Sequence, residues 1–428
     1  MGRVIDDSLR ETELGLRPAE WNVRPLGDLA EKPQYGLTAS AIGTKVGPQF
    51  LRITDIQDNG VNWSSVPYCE CSDADYQKCR LRRNDLVVAR IGATTGKSYL
   101  ITDPPDAVFA SYLIRIRTNN GLLAEFLDQF MKSEDYWRQI DAAKGGRLKQ
   151  GVSIPVLQGL QLPIPPLSEQ KAIAQMLRTV QRAKEATEKV IAASRQLKQS
   201  LMRHLFTYGP VPFDQADKVA LKETKVGEMP EDWDVVPLNS IATLASGGTP
   251  SKQRPEFWIG TIPWVSPKDM KTPRLWEAED HISEEGLKDG SRLVPPGSLF
   301  VVVRGMILAK DLPIALAMVP MAFNQDMKAI LPNQQRVSSE YLLYALVHHK
   351  PVLLPEIGTS AHGTRRIGTS AIERFPVPMP SKPEQETITD ALAALDHKLE
   401  KEEARHQALT ILFTTLLHHL MTGKVRVV

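Results

Sequence analysis

The chain has 428 residues, 42% hydrophobic and 24% charged, which is long enough for two or more domains that each bury a core. The most apolar stretch, residues 307–323, contains Lys310 and Asp311, and the first residues are too acidic and polar for a signal peptide. We therefore expect a cytoplasmic protein without a membrane span. The net charge of +2 leaves binding to nucleic acid open, because DNA-binding modules concentrate their basic residues locally.

Three cysteines lie close together early in the chain, at Cys69, Cys71 and Cys79. Structural zinc sites usually contain Cys-x-x-Cys or Cys/His pairs and need four ligands, and this spacing provides neither. An odd number of cysteines without a secretion signal also argues against disulfide bonds. We therefore predict no metal site, and the sequence leaves the role of these thiols open.

The sequence consists of two copies of one design. RETELGLRPAEWNVRPLGDL matches KETKVGEMPEDWDVVPLNSI, which places Trp21 and Trp233 at equivalent positions. LPIPPLSEQKAIAQML matches VPMPSKPEQETITDAL, which makes Gln170 and Gln385 equivalent at almost the same separation in sequence. A fixed long-period repeat of this kind constrains the architecture before any secondary structure is assigned.

Between these anchors the two copies match more loosely, in short runs typical of β-strands. FLRITDI corresponds to WVSPKDM, NDLVVAR to GSLFVVVR, and FASYLIRI to FNQDMKAI. The runs are rich in β-branched residues and are separated by Gly, Pro and Asn turns. Each half therefore begins with a mixed, strand-rich globular part.

A long helix is predicted after each proline string, with Ser168 and Ser381 as N-terminal caps. Apolar residues recur at heptad spacing in both helices, as in coiled coils, with a more polar middle around Thr187 and His406. The predicted interface residues are Ile173, Leu177, Val180, Ile191, Leu201, Leu205, Ile388, Leu392, Leu395, Leu399, Leu409, Phe413, Leu416 and Leu420.

The charges of the two helices favour their pairing with each other. Residues 168–206 contain eight Lys/Arg and three Asp/Glu, a net charge of +5, whereas residues 383–421 contain three and seven, a net charge of −4. Opposite charges beside apolar seams select unlike partners, and pairing of either helix with its own copy would be repelled. The alternative is that each amphipathic helix only covers its own domain.

The repeated order of strand-rich domain, proline string, EQ and heptad helix resembles the specificity subunits of type I restriction-modification enzymes over essentially the whole chain. SGGTPSKQRPEFWIGTIPWVSPKDM is similar to the opening of a target recognition domain of that family, and NDLVVARIGATTGKSYLI is similar to its central strand and turn. The proline string that runs into EQ and a long helix resembles the spacer of the family.

The resemblance implies an α+β fold with two pseudo-symmetric, strand-rich globular domains joined by two long helices that form an antiparallel coiled coil. The target recognition domains would be residues 1–166 and 210–381, and the helical spacers residues 167–209 and 382–428. Each recognition domain would read one half of a bipartite asymmetric site in double-stranded DNA. The helices would set the spacing, because a helix of 39 residues is roughly 58 Å long and one duplex turn is about 34–36 Å.

The same resemblance implies that the chain has no catalytic residues and no cofactor of its own. The helices would dock two methyltransferase subunits, which bind S-adenosylmethionine, and through them restriction subunits, which use ATP and Mg²⁺. Two alternative functions stay open: a stand-alone methyltransferase or nuclease, and a coiled-coil scaffold without sequence-specific binding.

The sequence DPPD at residues 103–106 lacks the aromatic residue of an adenine methyltransferase motif, since Asp106 replaces it, and we interpret this sequence as a turn.

The turn GATTGKS resembles a phosphate-binding loop of nucleotide enzymes but has only three residues between its glycines, where such a loop has four. Its amides, hydroxyls and lysine suit a DNA phosphate or base edge, and the alternative is a purely structural hairpin. The second copy has RGMILAKDL at the matching position, so a DNA contact inferred for this turn does not carry over to the second copy.

Two basic loops, KGGRLKQG and SAHGTRRIG, precede the proline strings; a solvated charged loop is the alternative for both.

Arginine can bridge O6 and N7 of guanine, and lysine neutralises phosphates, so the basic residues of these loops are the candidates for DNA contact. We interpret His204 and His419 as packing or helix-terminus residues. The candidates for DNA contact are Arg90, Thr94, Thr95, Lys97, Lys144, Arg147, Lys149, Lys252, Arg254, Lys268, Arg304, Arg365 and Arg366.

Overall fold

The structure is a computed structural model, and it describes residues 9–57, 60–144, 151–359 and 363–427. The chain divides into two compact units. Unit 1 comprises Met1–Val190 and Glu402–Val428, and unit 2 comprises Ile191–Lys401. Each unit contains one globular head and one part of each long helix; we call residues 9–166 head 1 and residues 209–381 head 2.

Head 1 and the helix that follows it contain short strands and mostly short helices. The strands are β1 (Leu9–Arg10), β2 (Arg17–Pro18), β3 (Asn22–Pro25), β4 (Gln34–Tyr35), β5 (Gln49–Leu51), β6 (Ile56–Gln57), β7 (Gly60–Val61), β8 (Leu86–Ala89), β9 (Ser98–Leu100), β10 (Ala107–Phe109), β11 (Leu113–Ile116) and β12 (Gln161–Ile164). The helices are α1 (Leu26–Leu29), α2 (Asp73–Cys79), α3 (Ala124–Phe130), α4 (Glu134–Ala143), α5 (Ile154–Gly159) and α6 (Leu167–Tyr208), and α6 continues into unit 2.

Head 2 has the same order of elements with additional strands. The strands are β13 (Leu221–Thr224), β14 (Gly227–Pro230), β15 (Asp234–Pro237), β16 (Ala242–Ser246), β17 (Ile262–Val265), β18 (Arg274–Leu275), β19 (Asp280–Ile282), β20 (Leu293–Val294), β21 (Leu299–Val302), β22 (Ile314–Ala317), β23 (Met321–Phe323), β24 (Met327–Pro332), β25 (Gly358–Thr359), β26 (Arg365–Arg366) and β27 (Pro376–Met379). The helices are α7 (Glu284–Gly290), α8 (Ser339–His349), α9 (Thr369–Glu373) and α10 (Lys382–Met421), and α10 continues into unit 1.

The sheets of the two heads follow one plan. Head 1 has a four-stranded sheet in the order β4-β11-β8-β9, and head 2 has the corresponding sheet β16-β24-β21-β22, extended at its edge by β18. The central strands β8 and β21 are buried along their whole length, as their uninterrupted apolar sequences LVVA and LFVV predict. In each head the strand before the long helix pairs antiparallel with an early strand, β12 with β3 and β27 with β15.

The register of a second pair of strands gives the equivalence of the two heads residue by residue. Strands β5 and β10 are parallel, with Phe50 opposite Val108, and strands β17 and β23 are parallel, with Trp264 opposite Ala322. The separation in sequence between Phe50 and Trp264 equals that between Val108 and Ala322. The predicted α+β fold with two pseudo-symmetric heads and two long helices is therefore confirmed.

The two long helices run antiparallel in each unit. In unit 1 the Glu188 carboxylate lies 2.7 Å from the His406 ring, and in unit 2 Lys198 forms an ion pair with Asp396. In unit 1 the earlier residue Ile173 shares a core cluster with the later residue Leu420, and in unit 2 the later residue Leu205 shares one with the earlier residue Ile388, so the helices are antiparallel within each unit. None of the predicted heptad residues is exposed; those buried are Ile173, Leu177, Ile191, Leu205, Ile388, Leu392, Leu399 and Leu420, and those half-buried are Val180, Leu201, Leu395, Leu409, Phe413 and Leu416.

The ends of the helices belong to the hydrophobic cores of the heads. In unit 1, Ile173 and Leu177 pack in one cluster with Trp21 and with Leu420 from the end of α10. In unit 2, Leu205 packs into the head's main core, together with Ile388 and Leu392 from the start of α10. The heptad pattern thus contains residues whose apolar partners are in the heads, which periodicity alone does not distinguish.

A glutamate in the first turn of each long helix holds a tryptophan of the head. The indole nitrogen of Trp21 donates to Glu169 at 3.0 Å, and that of Trp233 donates to Glu384 at 3.2 Å. Both tryptophans are at most 1% exposed, so each indole N–H needs a partner inside the protein. The repeated Trp and EQ motifs therefore meet in space in both units.

The glutamine of each EQ motif ties the long helix to the neighbouring chain segments. The Gln170 side chain accepts from the Leu123 N–H at 2.9 Å and donates to the carbonyls of Gly121 and Pro165. The Gln385 side chain makes the equivalent three bonds, accepting from the Ser338 N–H at 3.1 Å. Since Leu123 and Ser338 directly precede α3 and α8, one amide joins two helix starts in each unit.

The two predicted helix caps differ in outcome. The backbone N–H and the hydroxyl of Ser381 both donate to Glu384, at 2.9 and 2.7 Å, as half of a capping box. Ser168, in contrast, lies inside the first turn of α6, which already begins at Leu167. The predicted cap at Ser168 is therefore wrong, because the Gln170 N–H already donates to the Pro166 carbonyl at 2.9 Å and so starts the helix two residues earlier.

In unit 2 a charged cluster joins head 2 to both long helices. The Asp396 carboxylate of α10 accepts from Arg274 at 3.1 Å and from the Tyr344 hydroxyl at 2.7 Å, and pairs with Lys198 of α6. Arg274 also pairs with Glu340 at 2.7 Å. Burial alone would raise the pKa of Asp396, but the hydrogen bonds from Lys198 and Tyr344 hold that pKa below its ordinary value.

We expect Asp396→Asn to lower the stability of unit 2 by about 3 kcal/mol, because removing one member of a buried ion cluster leaves the opposite charges uncompensated. Hydrogen exchange of the α8 amides measures this effect, with the α3 amides of unit 1 as an internal reference. The control is Asp390→Asn on the exposed face of α10, with an expected change below about 0.5 kcal/mol. Equal effects of both substitutions would contradict this account of the cluster.

The effect of Asp396→Asn should also depend on pH. A carboxyl whose pKa is lowered by folding stabilises the protein above its unfolded-state value of 3.8, and this contribution is lost as the pH falls through the folded-state pKa. The difference between the wild type and the variant should therefore be constant near neutrality and shrink below about pH 4.

Candidate functional site

The turn that follows the central strand of head 1 is held by helix α4. Gly92 and Gly96 have φ angles of 84° and 93°, which favour glycine. The Tyr136 hydroxyl donates to the Gly96 carbonyl at 2.6 Å, and a Cβ atom at Gly96 would lie 3.0 Å from the Trp137 ring. The turn GATTGKS is therefore a tight hairpin between β8 and β9.

The predicted contact residues of this turn point in different directions. Thr95 is buried, and its hydroxyl donates to the Gly92 carbonyl at 2.7 Å, so it stabilises the turn. Thr94 is half-buried. Lys97 is exposed and lines a cavity between head 1 and α6. The turn itself thus offers fewer outward polar groups than its sequence indicates.

Arg90, at the end of β8, lies beside two exposed tyrosines. Its guanidinium is 4.7 Å from the centre of the Tyr35 ring, and its backbone N–H donates to the Tyr112 carbonyl at 3.0 Å. The Tyr112 side chain is 57% exposed. An arginine stacked on an aromatic ring is partly preorganised for binding a phosphate or a base.

The first basic loop, residues 144–151, ends next to this arginine. The Val152 N–H donates to the Arg90 carbonyl at 2.8 Å, which brings the end of the loop to the end of β8. At the other end of the loop, the Lys144 ammonium lies 3.2 Å from Asp141 and 3.4 Å from the Thr95 carbonyl. Arg147 and Lys149 lie outside the described residues.

Head 2 repeats this arrangement with three arginines. The Gly305 N–H donates to the Arg365 carbonyl, and the Ile367 N–H donates to the Val303 carbonyl, both at 3.0 Å. Arg304 forms a β-bridge with Arg366, and its side chain is 59% exposed at 3.6 Å from Asp326. The described part of the second basic loop, residues 363–368, therefore lies against the end of β21, as Val152, just after the first basic loop, lies against the end of β8.

The remaining candidates of head 2 lie elsewhere in the head. Lys252 and Arg254 are exposed in the segment that follows β16, with the Arg254 guanidinium 5.2 Å from the Phe257 ring. Lys268 pairs with Glu279 at 3.3 Å and with Asp280 at 2.9 Å. The hydrogen bond to Asp280 raises the pKa of Lys268, and the two carboxylates neutralise its charge locally.

We call the end of β8 with the described ends of the first basic loop, Lys144 and Gly151, the cationic edge of head 1, and the end of β21 with residues 363–368 the cationic edge of head 2. Sequence reasoning did not include Tyr35 and Tyr112, which flank Arg90. The only sequence signal for Tyr112 is its position within FASYLIRI, the partner strand of β8; Tyr35 has no signal, because only the pairing of β4 with β11 brings it there.

The other motifs have structural explanations. Cys69 and Cys79 are buried in a hydrophobic cluster of head 1, and burial raises the pKa of the Cys69 thiol to about 12. In the DPPD turn, Asp106 accepts a hydrogen bond from the Tyr76 hydroxyl. His204 is buried, and its ring stacks on Phe213 at 4.0 Å. Across the described residues, no group of three or more His, Cys, Asp and Glu is arranged to hold a metal ion.

Neither long helix, nor any other helix in the described part of the chain, has the length and apolar composition needed to cross a membrane.

Comparison with known proteins identifies the repeated domain. The model of the type I restriction modification DNA specificity domain matches residues 18–194 and again residues 230–410. The putative type I restriction enzyme MjaX specificity subunit of Methanocaldococcus jannaschii is 24% identical to the chain, over 99% of this chain and 97% of the relative. The similarity therefore extends over both units.

Solved structures show the same fold. The S subunit of a type I restriction-modification system from M. genitalium has a TM-score of 0.64 at 17% identity, over 94% of this chain and 96% of that chain. A chain from a structural study of complex assembly and conformational transition in the type I R-M system has a TM-score of 0.51 at 16% identity, over 96% and 99%. Since the family's model covers most of its length, the chain belongs to the type I restriction-modification DNA specificity family and contains the family's domain twice.

Proposed function

We propose that the chain reads a bipartite asymmetric DNA sequence, with head 1 recognising one half and head 2 the other. The observation that carries this proposal is the cationic edge, which segments distant in sequence build in both heads, at equivalent ends of β8 and β21. As a member of the specificity family, the chain is the DNA-recognition subunit of a type I complex and not a catalytic subunit. We assign the recognition domains to residues 1–166 and 210–381, and the helical spacers to residues 167–209 and 382–428.

Within each head we assign DNA contact to the cationic edge. Arg304, Arg365 and Arg366 in head 2 are not enclosed by carboxylates, since only Asp326 lies near Arg304 among the described residues. In head 1 we assign it to Arg90, Lys144 and Thr94 and, from the sequence alone, to Arg147 and Lys149. Arginines can read guanine in the major groove, and lysines hold the phosphate backbone. Lys252 and Arg254 are further candidates for phosphate contact.

Three of the sequence candidates have a weaker case as DNA contacts. The hydroxyl of Thr95 is used inside the turn, Lys97 lines a cavity beside α6, and Lys268 is neutralised by two carboxylates. A cation that already has two partners gains less from a phosphate, because it must first give up those interactions.

The long helices are the surface that we assign to partner subunits. A chain built of two equivalent halves offers two equivalent docking surfaces, which supports binding of two methyltransferase subunits. The S-adenosylmethionine site would then lie in those subunits, and the ATP and Mg²⁺ sites in restriction subunits that bind through them. The complex would act in the cytoplasm, where it meets chromosomal DNA.

We expect the double substitution Arg365→Ala/Arg366→Ala to weaken DNA binding and to reduce its salt dependence, by a slope of about 0.9 for each phosphate that is no longer neutralised. If one of the two arginines reads guanine, discrimination at that base should fall by about 1–3 kcal/mol. Binding of the assembled complex to target and random duplexes between about 50 and 200 mM salt measures both effects.

The matched control for this experiment is Lys218→Ala/Lys225→Ala, which removes two exposed charges from head 2 outside its cationic edge. The control should leave affinity and salt slope close to those of the wild type. Identical behaviour of the two double variants would show that the edge does not contact DNA.

Methylome sequencing of cells that express this chain with its methyltransferase tests the function as a whole. We expect adenine methylation at a bipartite asymmetric motif with a fixed unread spacer. Exchange of head 2 for that of another member of the family should change one half of the motif only. A continuous palindromic motif would favour the stand-alone enzyme, and no methylation would favour the scaffold.

Helix length should set the unread spacer of the motif. We expect insertion of four helical residues after Ser194 in α6, matched by four after Glu400 in α10, to lengthen the pair by about 6 Å and the spacer by one or two base pairs. The control replaces four exposed residues in the same region without changing the length. The methylated motif gives the result, and an unchanged spacer would mean that the helices do not set it.

A further inference from the structure

Unit 1 contains a cavity of about 460 Å³ between head 1 and α6. We call it the junction cavity. Head 1 contributes strands β6, β7 and β9, the end of α3 with the residues after it, and α4, and the long helix contributes residues 178–185. The residues that define its chemistry are Lys97, Tyr99, Lys132, Trp137, Arg178 and Arg182. Its volume lies within the range of about 300–1,000 Å³ that is usual for small-molecule sites.

The equivalent place in unit 2 is filled by the charged cluster around Arg274. The alignment that relates Phe50 to Trp264, continued without a gap, makes Gly60 the counterpart of Arg274. In unit 2, Arg274 extends from β18, next to β22, and pairs with Asp396. In unit 1, Gly60 lines the cavity, and a Cβ atom there would lie 3.4 Å from the Tyr99 hydroxyl.

The long helix differs in the corresponding way. The alignment that relates Gln170 to Gln385, continued without a gap along the helix, makes Gln181 the counterpart of Asp396. Gln181 lines the cavity and, unlike Asp396, carries no charge that would hold an arginine of the head. One unit therefore closes the junction with its own ion pairs, whereas the other leaves it open.

The helix also brings cations to the cavity that unit 2 lacks. Arg178 and Arg182 both line it, and by the same alignment their counterparts in α10 are Ala393 and His397. Neither arginine forms an ion pair or hydrogen bond with another described residue. Arg178 is half-buried, so its charge is partly withdrawn from water without an acidic partner.

The acidic residues of the cavity are already engaged. Asp128 accepts from the Lys132 ammonium at 2.7 Å, and Glu185 accepts from the Gln181 amide at 2.9 Å. Apart from Lys97, which has an interaction of its own, the described residues that line the cavity include three cations and these two carboxylates, so their net charge is positive. An anion would therefore find two guanidinium groups available, which form strong, geometrically defined bonds to phosphate.

We propose that the junction cavity binds a phosphate-bearing ligand of about the size of a mononucleotide. Arg178 and Arg182 hold the phosphate, and the polar and aromatic wall formed by Tyr99 and Trp137 accommodates the rest of the ligand. This function is separate from DNA reading by the cationic edges and does not depend on it. The phosphate can belong to a free nucleotide or to the backbone of DNA.

Calorimetric titration of the full chain with pyrophosphate and with ADP, in the absence of DNA, tests this proposal. We expect both probes to bind the wild type, and Arg178→Ala/Arg182→Ala to weaken binding at least about tenfold. The control variant is Lys171→Ala/Lys189→Ala, which removes two exposed charges from the same helix outside the cavity. It should bind both probes as the wild type does.

Absence of binding to the wild type at millimolar probe, or equal binding by the two double variants, would overturn the proposal. Chemical modification of the wild type by phenylglyoxal gives a second readout that needs no substitution. Pyrophosphate should protect Arg178 and Arg182, but not Arg203, from modification. Protection of all three alike would also count against the cavity as the site.

A random duplex added during the titration identifies the source of the phosphate. If the duplex displaces ADP from the wild type, a backbone phosphate occupies the cavity; if it does not, a free nucleotide does. Both outcomes support a phosphate site. Failure of specific DNA reading in the methylome experiment would leave this result unaffected, because the titration is done without DNA.

Discussion

In each unit the indole of a buried tryptophan donates a hydrogen bond to the glutamate in the first turn of a long helix, and this contact fixes where the helix leaves its head. The adjacent glutamine adds three hydrogen bonds to the neighbouring segments, one of them at the start of α3 or α8. Because the indole and the amide are buried, breaking any one of these bonds would leave an unpaired donor or acceptor. The start of the helix is therefore attached to its head by several buried hydrogen bonds within each unit, which a spacer set by helix length requires.

The two units meet a second constraint in different ways. A helix that leaves a sheet at its edge creates a gap, and the gap must be filled or lined by groups that tolerate water. Unit 2 fills it with Arg274 and Asp396 and their hydrogen-bonded partners, whereas unit 1 has Gly60 and Gln181 and keeps a cationic cavity. The two units thus differ at this junction. In unit 2 ion pairs between head and helix stabilise it, and in unit 1 the cavity remains available for a ligand.

At the cationic edges, the two heads share their backbone arrangement but differ in the connection that follows the central strand. Both place an arginine at the end of the central strand and join it to a basic loop by backbone hydrogen bonds, which any side chain permits. The connection that follows is a glycine hairpin in head 1 and a short 3-10 helix, Met306–Ala309, in head 2. A constant backbone frame with variable connections allows one fold to read two different half-sites.

The sequence by itself determined the duplication, the two long helices, the central strands and the opposite charges of the helices, because these features depend on periodicity and local composition. It also marked Trp21, Trp233 and both EQ motifs as matched pairs, without showing that they bond to each other. Only the tertiary structure decided this bonding, the burial of Thr95, the neutralisation of Lys268 and the place of Tyr35 beside Arg90. The physical reason is that each of these features depends on how separate segments of the chain pack together, and sequence patterns record spacing along one element only.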